Sequence, residues 1–192
     1  MKKIVLIRAG KTEFDHQGRI MGTLDVPLSD AGSAEVNDVI EQIRDYAIEM
    51  VYTAPCESAA QTAKQISETL GVKSKTIEQL TNIDHGLWQG MLVEEVKRKQ
   101  PKVFKKWREE PEKVCPPEGE MISNARQRVT ACVTKMIKKN KFGTVGLVAP
   151  QPLVSLIGSV LRNKEVIDGW KTNGAGPVWE LIEVELAAVI GT

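Results

Sequence analysis

The sequence predicts an α/β fold, three layers deep, with a mostly parallel central sheet and helices on both of its faces. Two observations carry this. Ile4–Ile7 and Thr144–Ala149 are short, near-continuous apolar runs, the pattern of strands buried on both faces. Around them, apolar residues recur at helical spacing in segments bounded by serine, glycine and proline, so that strands and helices alternate. A chain of 192 residues with 42% hydrophobic and 27% charged side chains can bury one full-sized core. A single domain over residues 1–192 is expected.

The elements follow in order. The strand Ile4–Ile7 stops at Arg8-Ala9-Gly10, and a polar loop dotted with Gly18, Gly22 and Pro27 comes next. Ser29 caps a helix whose Val36, Val39, Ile40 and Ile43 share one face. Met50–Thr53 is a second strand, and Pro55 opens the following turn. Residues 57–70 form a helix with Ala59, Ala63, Ile66 and Leu70 on one side and Gly71 as its stop. A brief strand is expected at Lys75–Ile77, then a loop from Asn82 to Gly90. Residues 91–110 read as a charged helix broken at Pro101, because proline removes a helical donor and clashes with the preceding turn. Pro111–Gly119 is a proline-rich surface excursion. Met121–Lys139 is the longest helix, with Ala125, Val129, Cys132, Val133, Met136 and Ile137 at helical spacing. After the strand Thr144–Ala149 come a helix, Leu153–Leu161, and a last strand, Val178–Leu186. The order of strands in the sheet is not legible in this pattern.

Composition excludes several classes. With 26 basic and 25 acidic side chains, the net charge of +1 gives no sign of a nucleic-acid or acidic-membrane partner. The basic run from Lys97 to Lys106 is interleaved with acids and reads as a solvated helix face. Cys56, Cys115 and Cys132, with two histidines, lack metal-ligand spacing, so no metal and no cofactor is expected. Behind Lys2-Lys3 stand only about four strongly apolar residues, too few for a signal-peptide core or a membrane span. A reducing, cytoplasmic setting is the expectation. Trp88, Trp107, Trp170 and Trp179 are scattered along the chain and read as packing residues rather than a stacking platform.

In an open α/β sheet, the loop leaving the first strand is where ligand chemistry is usually placed. Here that loop reads Arg8-x-Gly10-x-Thr12, then Gly18-Arg19-x-x-Gly22-x-x-Asp25-x-Pro27-Leu28 and Gly32. Further on stand Tyr52-Thr53-Ala54-Pro55 with Ala59-x-Gln61-Thr62-Ala63, then Ile83-Asp84-x-Gly86-x-Trp88-x-Gly90. Trp107, Pro117-x-Gly119-Glu120 and Asn173 follow. In order and spacing these segments resemble the histidine phosphatase superfamily, the phosphoglycerate mutase-like phosphatases and mutases, from Ile4 to about Glu185. The resemblance implies that family's fold and a phosphoryl-transfer site at the strand ends.

Family chemistry needs a histidine nucleophile, two arginines, a second histidine and a proton-donating acid. Matched position by position, the nucleophile is Ala9, the second arginine Ser58, the acid Asn82 and the second histidine Pro150. An asparagine of the family's first loop is Asp15, whose charge is expected to repel a phosphate. Of the catalytic groups only Arg8 remains, so a pocket of nearly neutral charge is expected. At an intermediate effective dielectric, each unit charge about 4 Å away contributes on the order of 4 kcal/mol of gross attraction, and losing two removes most phosphate affinity. Loss of a covalent nucleophile or its partners costs roughly 10⁴ to 10⁶ in rate in other enzymes.

Four residues are candidate replacements for the missing groups. His16 reads as an exposed loop histidine, His85 as a partly buried, hydrogen-bonded ring whose ordinary pKa suits a catalytic role. Cys56 lacks an arginine six positions on and reads as a small half-buried apolar residue. Asp84 reads as a turn residue. The leading expectation is a pseudoenzyme with a cleft lined by Arg8, Asp15, Arg19, Ser58, Asn82, His85 and Pro150, taking a small anionic ligand or a protein partner. The alternative is a weak or rewired phosphomonoesterase using Arg8 with His85 or Asp84. A third is an interaction module with a closed cleft. Small members of the family are often dimers, so the resemblance allows a homodimer, though no exposed apolar strand marks one.

Overall fold

The computed structural model describes residues 2–164 and 177–184. Five strands form one sheet: β1 (Lys2–Arg8), β2 (Met50–Thr53), β3 (Lys73–Thr76), β4 (Thr144–Ala149) and β5 (Trp179–Val184). Their order across the sheet is β3-β2-β4-β1-β5, with β5 antiparallel to β1 and every other pair parallel. The mostly parallel α/β fold read from the sequence is thus the fold observed. Ile4, Val5, Leu6 and Ile7 are all buried although successive side chains point to opposite faces, so both faces of β1 are covered.

Seven α-helices surround the sheet among the described residues: α1 (Glu13–Gln17), α2 (Asp30–Ile43), α3 (Glu57–Leu70), α4 (Val93–Lys99), α5 (Pro101–Glu109), α6 (Ile122–Lys139) and α7 (Leu153–Leu161). Helix α2 packs on α3, and α6 on α7. The apolar stripes anticipated for α2, α3 and α6 are buried, except that Leu70 and Cys132 are only partly so. Ser29 accepts the Gly32 amide at 3.0 Å as the cap of α2. The break at Pro101 falls between α4 and α5.

The third strand and the first helix depart most from expectation. The third strand lies at Lys73–Thr76 rather than Lys75–Ile77, because it pairs with β2 alone at the sheet edge and all four of its side chains are exposed. No apolar pattern marks such a strand. Helix α1 was not foreseen; Thr12 and Asp15 build a reciprocal capping box that starts it. Trp170, Asn173 and the end of the expected last strand lie outside the described residues. Among the described residues, no helix is long and apolar enough to cross a membrane, and no cluster of three metal-ligating side chains occurs.

The sheet creates a crevice. From β1 the chain crosses to β2 on one side, whereas β5 lies at the edge on the other side of β1. β1 and β4 pair in register with Arg8 opposite Ala149, and the Ala9 amide donates to the Ala149 carbonyl at 2.9 Å. The two connections that follow therefore diverge from adjacent strand ends, the arrangement in which open α/β sheets bind ligands. Glycines hold the first loop down. A Cβ on Gly32 would stand 2.0 Å from the Lys11 carbonyl oxygen.

Gly32→Ala and Gly71→Ala separate close approach from backbone conformation. Gly71 ends α3 at φ 67° with open space around it, so alanine there is expected to cost about 1 kcal/mol. At Gly32 backbone must move, and a loss of about 3 kcal/mol is expected. Denaturant midpoints of the two variants measure the difference.

Candidate functional site

At the carboxyl ends of β1 and β4 lies a cleft of about 600 Å³. Its floor holds Ala9, Gly10, Ser58, His85 and Pro150, and none of these is exposed. Helices α4 and α5 wall it: Phe104, Trp107 and Arg108 on α5, and Val93, Glu94 and Lys97 on α4, face it at helical spacing. This wall is anchored by a small satellite core of Ile20, Trp88, Val96 and Phe104.

The first strand delivers Arg8, but its guanidinium is committed elsewhere. Nη2 donates to Glu35 Oε1 on α2 at 2.6 Å, with both side chains largely shielded from water. A charge held this way is strongly coupled to its partner and gives less field to a ligand. Asp15 lines the cleft, and its carboxylate is also engaged. Oδ2 accepts the Thr12 amide at 2.7 Å and the Thr12 hydroxyl at 2.8 Å. Asp15 thus lines the cleft with its charge and also caps α1.

Asn82 is 4% exposed and is not part of the cleft lining. Its Nδ2 donates to the Gly22 carbonyl at 2.8 Å and to the Gln151 carbonyl at 3.0 Å, and its Oδ1 accepts the Ile83 amide at 2.9 Å. One side chain thus ties the loops after β1, before Gly86 and after β4. Only an amide oriented this way satisfies an amide donor and two carbonyl acceptors together. Asn82 was expected in the cleft; the structure makes it a staple behind the floor.

Arg128 and Glu120 hold the same loop from outside, and neither was singled out from the sequence as a positioning residue. Arg128 donates to the carbonyls of Thr81 (2.8 Å) and Asn82 (3.1 Å) and pairs with Glu120 at 2.6 Å; Glu120 accepts the Asp84 amide at 3.0 Å. Glu120 and Arg128 stand eight residues apart, with Arg128 two helical turns into α6. That spacing is the sole sequence signal of the pair. Asp84 does not line the cleft; its Oδ1 accepts the Gly86 amide at 2.8 Å, as a turn residue does.

His85 is 3% exposed and does line the cleft. Its Nδ1 lies 3.1 Å from the Ile83 carbonyl, which accepts hydrogen bonds only, so Nδ1 carries the proton and Nε2 the lone pair. Burial pushes its pKa down from 6.5 to about 4, against the weaker upward pull of the Ile83 carbonyl, Asp84 and Glu120. The ring is neutral at physiological pH and a weak base. Trp107 meets it edge-on at 5.6 Å and also meets Trp88 at 5.6 Å and Phe104 at 5.8 Å. Two of the tryptophans are therefore clustered, not scattered, although packing is still what they do.

His16 is exposed and bonds Ser29 Oγ through Nε2 at 3.0 Å. Burial pushes the Cys56 thiol up, away from the thiolate that nucleophilic chemistry requires. Ser58 lies on the floor at the start of α3, its Oγ 3.7 Å from Cys56 Sγ. The charge of the cleft differs from expectation in its distribution. Lys11, Arg19, Lys97 and Arg108 line the more open part, joined by the acids Asp15 and Glu94. The floor is neutral, and the mouth is basic.

A mostly parallel five-stranded sheet with helices around it and a cleft at the β1/β4 strand ends is the architecture of a phosphoglycerate mutase-like fold. The family model for the histidine phosphatase superfamily (branch 1) matches residues 4–185, and the chain belongs to that superfamily. Phosphoserine phosphatase 1 of Hydrogenobacter thermophilus is 32% identical over 149 residues, 78% of this chain and 71% of that one. Phosphoglycerate mutase-like protein 4 of Arabidopsis thaliana is 28% identical over 142 residues, 72% and 62% of the two chains. The solved structure of a mycobacterial glucosyl-3-phosphoglycerate phosphatase with VO3 shares the fold at a TM-score of 0.85 and 22% identity, over 94% of this chain and 92% of that one.

Two measurements test this geometry. Asn82→Asp keeps the acceptor for Ile83 but turns an oxygen towards two carbonyls, so a loss of about 2 to 4 kcal/mol in unfolding free energy is expected. The second concerns His85, which protonates near 6.5 when unfolded and near 4 when folded. The unfolded state therefore binds the extra proton between those values, and stability is full above pH 6.5 and falls by about 3 kcal/mol as pH drops to about 4. Denaturation of wild type against His85→Gln across this window should show the slope in the wild type alone.

Proposed function

We propose that this chain is a histidine phosphatase-fold protein that has lost phosphohistidine chemistry and serves as a binding protein. The observation that carries the proposal is Asn82. At the position where the family resemblance places the proton-donating acid stands a buried amide whose hydrogen bonds all go to backbone, to the carbonyls of the cleft-lining Gly22 and Gln151 and to the Ile83 amide, holding three loops together. The other matched positions support it. Ala9 offers no lone pair and Pro150 no imidazole, Ser58 is neutral, and the Arg8 charge is shared with Glu35. No group there combines nucleophile, acid and phosphate clamp. The cleft with its basic mouth then has the character of a site for a small anion.

A second reading, a weak phosphomonoesterase using Arg8 with His85 or Asp84, is favoured by the phosphatase names of the relatives and by the His85 lone pair beside the cleft. Its difficulty is that a ring protonating near 4 is a poor nucleophile and base.

Turnover of an aryl phosphate decides between them. Background rates are expected from wild type and from His85→Ala alike. Activity that persists through extensive purification and vanishes in His85→Ala overturns the binding-protein reading. Ala9→His alone is expected to give no stable phosphohistidine after incubation with a phosphoryl donor, detected by acid-labile, base-stable label.

A further inference from the structure

The polarity of the cleft is the reverse of what a phosphate clamp requires. A clamp places its cations at the floor, where burial strengthens them. Here the floor side chains Ala9, Ser58, His85 and Pro150 are uncharged, and the half-buried Arg8 is paired with Glu35. Further out the cations outnumber the acids, with Asp15 and Glu94 beside Lys11, Arg19, Lys97 and Arg108. Lys11 is exposed, and Arg19 and Arg108 are half-exposed; among the described residues no ion pair or side-chain hydrogen bond engages the head groups of Lys11 and Arg108. Arg19 is oriented towards its place by hydrogen bonds to Gln17 Oε1 and the Gly90 carbonyl, both 2.7 Å. Lys97 contributes less, since Glu94 lies 3.5 Å from it. Between floor and mouth stands an aromatic and aliphatic wall, Trp107, Phe104, Ile20 and Met21.

We infer that the cleft takes a small amphipathic carboxylate in reversed orientation, with its uncharged aromatic body inward and its anionic end at the mouth. The body rests against Trp107 and Phe104 and over the neutral floor. The carboxylate lies among Lys11, Arg19 and Arg108, where water still reaches it and its desolvation cost is small. Inward placement of the charge is disfavoured because the floor offers no unshared cation. A compact mineral anion gains nothing from the wall, so the aromatic body supplies most of the affinity and the mouth supplies the selectivity for charge. The inference rests on the binding-protein reading but goes further, by naming the class of ligand and its direction.

The test is titration calorimetry of the full chain with phenylpropanoate, its uncharged amide, and inorganic phosphate. Phenylpropanoate is expected to bind, the amide about tenfold more weakly, and phosphate not measurably at millimolar concentration. Lys11→Gln/Arg108→Gln changes two partly exposed side chains and leaves the fold intact by circular dichroism; it is expected to weaken phenylpropanoate about tenfold and to leave the amide unchanged. Phosphate binding more tightly than phenylpropanoate, an unchanged affinity in the double variant, or no binding by any of the three overturns the inference. An acidic peptide that binds while phenylpropanoate does not also overturns it, in favour of a protein partner. These outcomes are distinct from failure of the binding-protein reading itself, which is marked by His85-dependent turnover.

Discussion

Everything at this site depends on the pairing of β1 with β4. Two parallel strands in register, Arg8 opposite Ala149, bring two chain segments remote in sequence to one point and send them apart again. Parallel pairing forces long crossovers, so the loops that meet there come from widely separated parts of the chain. A site built this way has no local cohesion. Without further ties, its loops would be held only by the strand ends from which they leave.

Asn82 provides much of the missing cohesion. Its amide reaches backbone 60 residues earlier and 69 residues later, at the ends of the two diverging loops. Arg128 and Glu120 fix the segment from the outer side, so the loop that carries His85 is held from both directions. The rigidity of the floor follows from these contacts: buried polar groups that are fully satisfied specify one arrangement, and partly satisfied ones do not.

The legibility of the molecule in its sequence divides along the same line. Short apolar runs and helical stripes marked β1, β4, α2, α3 and α6 because burial on one or both faces writes a period into the chain. Edge strand β3 escaped because a strand exposed on both faces has no period to write. The residues at the matched positions, Ala9, Ser58, Asn82 and Pro150, were legible once the order of landmarks was aligned with the family resemblance. What those residues do instead was not. Asn82 as a staple and Glu35 as the partner of Arg8 both depend on which distant atoms arrive beside them, and no local pattern carries that. The basic mouth was hidden for the same reason, since Lys97 and Arg108 reach it only when α4 and α5 fold across the cleft.

Under the proposed function, the residues at the floor form a coherent set in physical terms. A phosphoryl-transfer site concentrates cations, an acid and an unpaired imidazole in one partly dry space, and each carries a desolvation cost that substrate binding offsets only while substrate is present. Under the proposed function that concentration has been dispersed: a methyl group, a hydroxyl and a proline ring need no counter-charge, and Arg8 has Glu35. Once the acid is an amide, it can serve as a donor to two carbonyls, a role open to a carboxylic acid for one of them at most. Under the proposed function, the amide at 82 therefore stabilises an empty site that an acid there would strain. On that reading a cleft relaxed in this way persists without a substrate, and its selectivity would pass to the charges that remain in water, at the mouth.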